Sequence, residues 1–485
     1  MITFITCILV LILGYIVYGK IVDKQFGMDP NRPTPVKTMA DGVDYVEMPL
    51  WRIFLIQLLN IAGLGPIFGA ILGAMYGPIA YLWIVLGSIF MGGVHDYFSG
   101  MMSLRHKGMT IPEFTGEYMG PVFKNIMRVI TFFCLILVGA AFVNGPAGLL
   151  TTLANNAIDY RIWVGIICIY YALATLLPID VIIGKIYPFF GFVLVFMVVC
   201  LTGYMLFSGM PMQEFNMSAF QNHHSNQSEN MLYPMIFIIV SCGAISGFHS
   251  TQSPLMSRCM TNENQGRKVF FGAMIAEGII ALIWATAAIN YFGGPEKLNA
   301  ITSMPNHNPA WVVNEICNSW LGKLGAVVAI MGVIALPITT GDTAFRSARL
   351  LIADIFHVDQ KKMSKRLLVA GPILIGGFYL SQIDFTIIWK YFGVINQLLA
   401  VIILWTSAVF LVRIKKNHII VSIPATLLSG IVATYFLIAP NKLGGLGIDA
   451  NFSYIGGAVI GIATLIIFLI SMKRQNKNVE TELTI

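Results

Sequence analysis

The chain has 485 residues, of which 57% are hydrophobic and 11% charged, against about 45–50% and about 25% in ordinary soluble domains. That balance excludes an ordinary soluble domain and describes a polytopic membrane protein, and the net charge of +7 is what such a protein gathers on its cytoplasmic loops rather than a basic nucleic-acid face. The seven cysteines have neither CxxC nor metal-type spacing, so they read as small packing residues, with no disulfide framework and no zinc.

In chain order, the first apolar run, residues 2–22, lacks a basic n-region and a small-residue cleavage site and reads as a retained helix rather than a signal peptide. Twelve more runs follow, at 51–75, 78–104, 122–154, 161–178, 186–208, 232–256, 266–292, 320–340, 366–381, 385–412, 418–438 and 453–472. Segments 161–178 and 366–381 are close to the shortest that spans about 30 Å of hydrocarbon, while 122–154 must tilt or project beyond it. With Met1 outside, the cytoplasmic loops hold 25 of the 30 Lys and Arg residues, leaving only Arg161, Lys297, Lys323, Lys390 and Lys442 opposite. Thirteen helices with the N-terminus outside and the C-terminus cytoplasmic satisfy the positive-inside rule.

Two of these runs are interrupted. Residues 51–75 contain NIAGLGPIFGAILG, with Gly63, Gly65 and Pro66 in the middle. Residues 232–256 contain SCGAISGFHSTQSP, Ser241 to Pro254, small and hydroxylated where a membrane helix is normally most apolar. The composition predicts an unwound segment, and unwound backbone survives at membrane depth only against a cavity or inside protein. Each interruption is followed by a helix with one buried acid, Asp96 and then Glu277. The step from one break to the next is five helices, an odd number, so the second set enters from the opposite side. The pattern predicts an all-α five-plus-five inverted repeat with two discontinuous helices and a binding site near the midplane. It assigns an extra N-terminal helix and cytoplasmic loop to 1–50, the first repeat to 51–208, the second to 232–412, and two C-terminal helices and a tail to 413–485.

The residues DGVDYVEMPLWRIF at 41–54, IAGLGPIFGAILG at 61–73, GGVHDYFSGMMSLRHKG at 92–108, SCGAISGFHS at 241–250 and TTGDTAFRSARLLIAD at 339–354 resemble the carbon starvation protein A (CstA) family of bacterial transporters. The likeness spans most of residues 1–412, although the chain is shorter than familiar members. It implies a LeuT-like core of the amino acid, polyamine and organocation transporters, a place in the bacterial cytoplasmic membrane, and uptake of peptides or pyruvate during carbon limitation.

At the first break, Gly63 and Gly65 expose backbone and Pro66 disfavours helix through Leu64 and Gly65. The half-helix beginning there points N–H groups and its positive dipole end at the gap, where a carboxylate is the natural guest. The alternative is that the glycines only let helices pack closely. At the second break, Ser246, Gly247, Phe248, His249, Ser250 and Gln252 offer hydroxyls, an aromatic wall and an imidazole. His249 either bonds a neighbouring carbonyl or carries a proton, its reference pKa being about 6.5. A carboxylate at a helix centre costs about 2.5–3.5 kcal/mol on insertion scales and needs a partner. Asp96, nine residues before Arg105, reads as a coupling group or as half of a structural ion pair at that end; Glu277 has no adjacent charge and is favoured for proton coupling. In LPITTGDTAFRSAR, Thr339, Thr340, Asp342 and Thr343 are hard oxygen ligands, with Thr339, Thr340 and Thr343 suited to Na⁺. The other reading pairs Asp342 with Arg346 one turn later.

HExxH, GxSxG and Walker A patterns are absent from the sequence, which argues against an intramembrane hydrolase and ATP-driven transport. The expectation is a non-enzymatic secondary active importer of a small carboxylate-bearing nutrient, coupled to H⁺ or Na⁺ and needing no cofactor beyond that ion. Its partners are the substrate and the lipid bilayer, with no nucleic acid and no oligomeric state specified. An ion or solute channel and a nutrient sensor on a transporter-like core are the alternatives, the channel lacking the expected charged rings or carbonyl filter.

Overall fold

The computed structural model describes residues 1–482 except 43–44, 155–156, 177–178, 306, 359, 361 and 384. Lys185, Lys361, Lys442 and Lys477, which enter the charge count above, lie outside the residues whose side chains are described. Among the described residues every regular element is helical. In chain order these are α1 (Ile2–Phe26), α2 (Leu50–Ala62), α3 (Gly65–Ala74), α4 (Ile79–Arg105), α5 (Ile111–Met119), α6 (Pro121–Leu153), α7 (Tyr160–Leu176) and α8 (Ile179–Phe207). After the loop at 208–231 come α9 (Leu232–Ile239), α10 (Gly247–Ser257), α11 (Glu263–Tyr291), α12 (Pro295–Thr302), α13 (Pro309–Ile355), α14 (Met363–Leu380), α15 (Phe385–Arg413), α16 (Ile419–Ile438) and α17 (Ala450–Glu482).

Among the described residues ten helices are long and apolar enough to cross a bilayer, and α2 with α3 makes an eleventh span bent by 55°. The thirteen runs of the sequence are completed by the shorter α7 and by the pair α9 and α10, separated by non-helical residues 240–246. The 47 residues of α13 would extend about 70 Å as one straight helix. Gly322 divides them at φ 63, ψ 178, where a residue with a side chain is strained.

Which helices are central follows from their sequence. The outer helices α1, α14 and α17 expose most of their apolar side chains, as lipid-facing helices do. In contrast, every residue of α10 is buried although six of its eleven are Ser, Thr, His, Gln or Gly before Pro254. A helix this polar is stable inside a membrane protein only with its polar atoms satisfied by protein. It packs against α2, α4 and α15, and small residues make the approach to α4 close. Ser99 Oγ meets Ser253 Oγ at 3.2 Å, and Ser257 Oγ donates to Gly100 O at 2.8 Å.

Candidate functional site

The first break is set by one residue that only glycine accommodates without strain. Gly63 has φ +47, and a Cβ there would lie 2.5 Å from the Phe142 ring. The chain leaves α2 here, and α3 restarts at Gly65 with Pro66 as its second residue, a position where the missing N–H costs nothing. Ile67 and Phe68 N–H groups donate to Leu64 O at 3.2 and 2.7 Å. The N–H groups of Gly63, Leu64 and Gly65 meet no acceptor among the described residues. Backbone N–H groups left free at a helix start are donors of the kind that anions bind.

The second break is shorter than its composition predicts. Only 240–246 are unwound, and helix resumes at Gly247. The hydroxyl-rich stretch satisfies itself within the helix: Ser250, Thr251 and Ser253 donate back to Gly247 O, Phe248 O and His249 O at 2.5, 2.7 and 3.1 Å. The unwound carbonyls are met by side chains of α4, Trp83 Nε1 donating to Val240 O at 3.0 Å and Ser88 Oγ to Gly243 O at 3.1 Å.

The start of α10 is already capped, by a residue far away in sequence. Asn396 Oδ1 on α15 accepts from Phe248 N at 2.6 Å and from Ser246 Oγ at 3.0 Å. Gly247 lies against the same helix, where a Cβ would come 2.3 Å from Asn396 O. Gln252 Nε2 donates to Thr251 Oγ1 at 2.8 Å, while its Oε1 is buried without a partner among the described residues. The two breaks touch: a Cβ on Gly65 would lie 1.9 Å from Cys242 Cβ. Thus Gly65 carries the first break directly against the second.

The acids converge on the imidazole. His249 Nδ1 is 2.8 Å from Asp96 Oδ2, and His249 Nε2 is 3.3 Å from Glu277 Oε2. His95 Nδ1 is 2.8 Å from the other Asp96 oxygen. All four side chains are 0% exposed. With Asp96 ionised, both imidazoles donate to it from Nδ1, which leaves Nε2 of a neutral His249 as a lone pair facing Glu277. One proton can then reside on Glu277 or on His249 Nε2 without any change of partners. Arg105, the proposed structural partner of Asp96, instead binds Glu263, with Nε to Oε1 and Nη2 to Oε2 both at 3.1 Å.

The oxygen-rich stretch of α13 divides between two neighbours. Thr339 and Thr340 Oγ1 both reach Leu59 O, at 3.0 and 3.1 Å, in the last turn of α2 beside the first break. Their oxygens and that carbonyl form a compact set of hard donors of the kind that suits Na⁺. Thr343 Oγ1 bonds carbonyls of its own helix, Thr339 O at 3.2 Å and Thr340 O at 3.1 Å. Asp342 lies 3.7 Å from Arg346 Nη2, and Arg346 also donates to Ala174 O at 2.5 Å. The ion pair one turn along is therefore present, and neither Asp342 nor Thr343 joins the group at Leu59.

Three participants escape a reading of the sequence. His95 is adjacent to Asp96 and could have been suspected as a second imidazole beside a membrane acid. Cys242 and Asn396 carry no such signal, since each matters through contacts 150 residues or more away, Cys242 with Gly65 and Asn396 with Ser246.

The sequence matches the family described as carbon starvation protein CstA over residues 1–160, 147–320 and 310–435. An uncharacterised membrane protein of Haemophilus influenzae is 42% identical over 345 residues, covering 61% of this chain and 93% of the relative. The peptide transporter CstA of Bacillus subtilis is 25% identical, covering 85% of each chain. The pyruvate/proton symporter BtsT of Escherichia coli is 25% identical over 55% of this chain and 46% of its own. The crystal structure of MhsT in complex with L-phenylalanine superposes with a TM-score of 0.56 over 88% of this chain and 99% of MhsT, at 13% identity. That likeness speaks for a LeuT-like fold alone. By the extent of the family match, the chain is a multi-pass membrane protein that belongs to the carbon starvation protein CstA family.

Proposed function

We propose that this protein is a secondary active transporter that imports a small carboxylate-bearing nutrient, pyruvate or a short peptide, together with an inward proton. The observation that carries the reading is His249, held between Asp96 and Glu277 in a fully buried cluster. A group that can take or release one proton beside a helix break is the element a proton-coupled carrier needs. The substrate carboxylate docks on the amides of Gly63, Leu64 and Gly65, and Cys242 and Ser246 of the second break close over it. Binding of the anion next to the cluster favours the protonated state, so substrate and proton occupy the protein together.

Each proton moved inward supplies about 2.3 kcal/mol per 100 mV of membrane potential. Alternating access follows from rocking of one repeat, 51–208, against the other, 232–412, in the cytoplasmic membrane with the N-terminus outside. The names of the Bacillus subtilis and Escherichia coli relatives support this class of substrate and of coupling ion. A second reading, Na⁺ coupling, is favoured by Leu59 O with the two hydroxyls of Thr339 and Thr340.

The test is uptake of labelled pyruvate and labelled dipeptide into proteoliposomes with a pH gradient or a Na⁺ gradient imposed separately. Accumulation with the pH gradient alone is expected. Accumulation only with Na⁺ transfers the coupling role to the Leu59 group; passive flux at channel rates overturns the carrier reading.

A further inference from the structure

Helices α1, α2 and α11 leave a lateral groove of about 490 Å³, walled by Ile12, Tyr15, Trp51, Phe54, Ile275 and Ile279. Lys268 stands at one end of it. From Lys268 to Ile279 the groove follows α11 for about 16 Å at 1.5 Å per residue, close to half of a hydrocarbon core about 30 Å thick. It is therefore one leaflet deep.

Three cations stand at or beside this end of the groove, Lys268 in its lining and Arg52 and Arg267 over the rings of two lining residues. Lys268 is exposed, and neither Lys268, Arg52 nor Arg267 has an ion-pair partner among the described residues. Arg267 lies over the Tyr15 ring at 5.3 Å and Arg52 over Trp51 at 5.7 Å. Arg52 Nε is buried without a hydrogen-bond partner among the described residues. Asp23 on α1 accepts from the Tyr97 hydroxyl and attracts Arg267, which leaves Lys268 and Arg52 as the cations free to meet an anion. Trp51 is 57% exposed and lies where an indole marks the membrane interface.

We propose that this groove holds one anionic phospholipid, its phosphate on Lys268 and Arg52 and one acyl chain laid along α11 between Tyr15 and Phe54. The unneutralised cations select the charge of the headgroup, and the one-leaflet depth of the apolar walls selects a lipid over a soluble phosphate. The site is separate from the transport reading: it faces outward from α11, and its test does not depend on which substrate is carried.

The purified full-length chain in mild detergent is exposed to equal amounts of palmitoyl-oleoyl phosphatidylglycerol and phosphatidylcholine, and retained lipid is read by native mass spectrometry. Phosphatidylglycerol should be retained preferentially. The preference should fall about fivefold for each cation removed in Lys268→Gln and in Arg52→Gln, with phosphatidylcholine unchanged. Ala276→Phe, which fills the groove, should lower retention of both lipids. Equal retention of the two lipids by the native chain overturns the proposal, as does a preference unchanged by Lys268→Gln, an exposed substitution that leaves the fold intact.

Discussion

Nε2 of His249 faces Oε2 of Glu277 at 3.3 Å, and neither atom has a hydrogen-bond partner among the described residues. The two groups come from separate elements, α10 and α11, and α10 begins only after the unwound residues 240–246. A buried acid beside a lone imidazole nitrogen has one unassigned proton.

Glu277→Gln preserves shape and removes that proton site. Substrate exchange between equal solutions should survive, while accumulation driven by a pH gradient should be lost, because the intramembrane acid that takes up the proton is gone. His249→Ala should do the same. Native accumulation in both variants would remove the pair from the mechanism.

Asp96 plays a different part, because it accepts from two imidazoles, His95 and His249, both at 2.8 Å. Asp96→Asn keeps an acceptor oxygen for one imidazole but sets an amide N–H against the N–H of the other, so the loss should be structural: about 1–3 kcal/mol, the range for a buried donor left unsatisfied. His95→Ala removes one buried hydrogen bond to a charged group, which should cost a similar amount, about 1–3 kcal/mol, and should leave coupling intact. Thermal unfolding in detergent beside uptake separates the two; a His95→Ala protein that is stable yet uncoupled would place His95 in the proton path.

The acids, the imidazole and the first break were legible in the sequence because each violates a local rule: charge at membrane depth, or Gly and Pro in mid-helix. Their meeting was not, since Asp96 and Glu277 lie about 180 residues apart in separate runs with no sequence mark pointing one at the other. The second break misled in its extent. Ser250, Thr251 and Ser253 look like helix breakers by composition, yet in a buried helix they bond the preceding turn and impose no unwinding. Asp342 shows the converse limit: its sequence context allows either a place among the threonine oxygens or an ion pair one turn later, and the fold sets it beside Arg346.

Gly65 tests the contact between the breaks. Gly65→Ala sets a methyl 1.9 Å from Cys242 Cβ, an overlap that should cost about 1–3 kcal/mol. Cys242→Gly removes the opposing carbon, so the double variant should recover much of that stability, giving a coupling energy of about 0.5–3 kcal/mol in a double-mutant cycle. Additive losses would mean that the two breaks are not in contact in the folded protein.

Asn396 tests whether capping from α15 holds the second half-helix in place. Asn396→Ala removes the acceptor for Phe248 N and Ser246 Oγ together, so the cost should reach about 1–2 kcal/mol, the upper part of the range for losing a helix cap. Asn396→Asp restores an acceptor at the positive end of α10 and should regain stability. The same substitution adds an anion near the point where the substrate carboxylate docks, so its apparent affinity should weaken while the fold holds. Stability restored with unchanged affinity would separate the Asn396 cap from the substrate site and leave the first break as the sole anchor for the carboxylate.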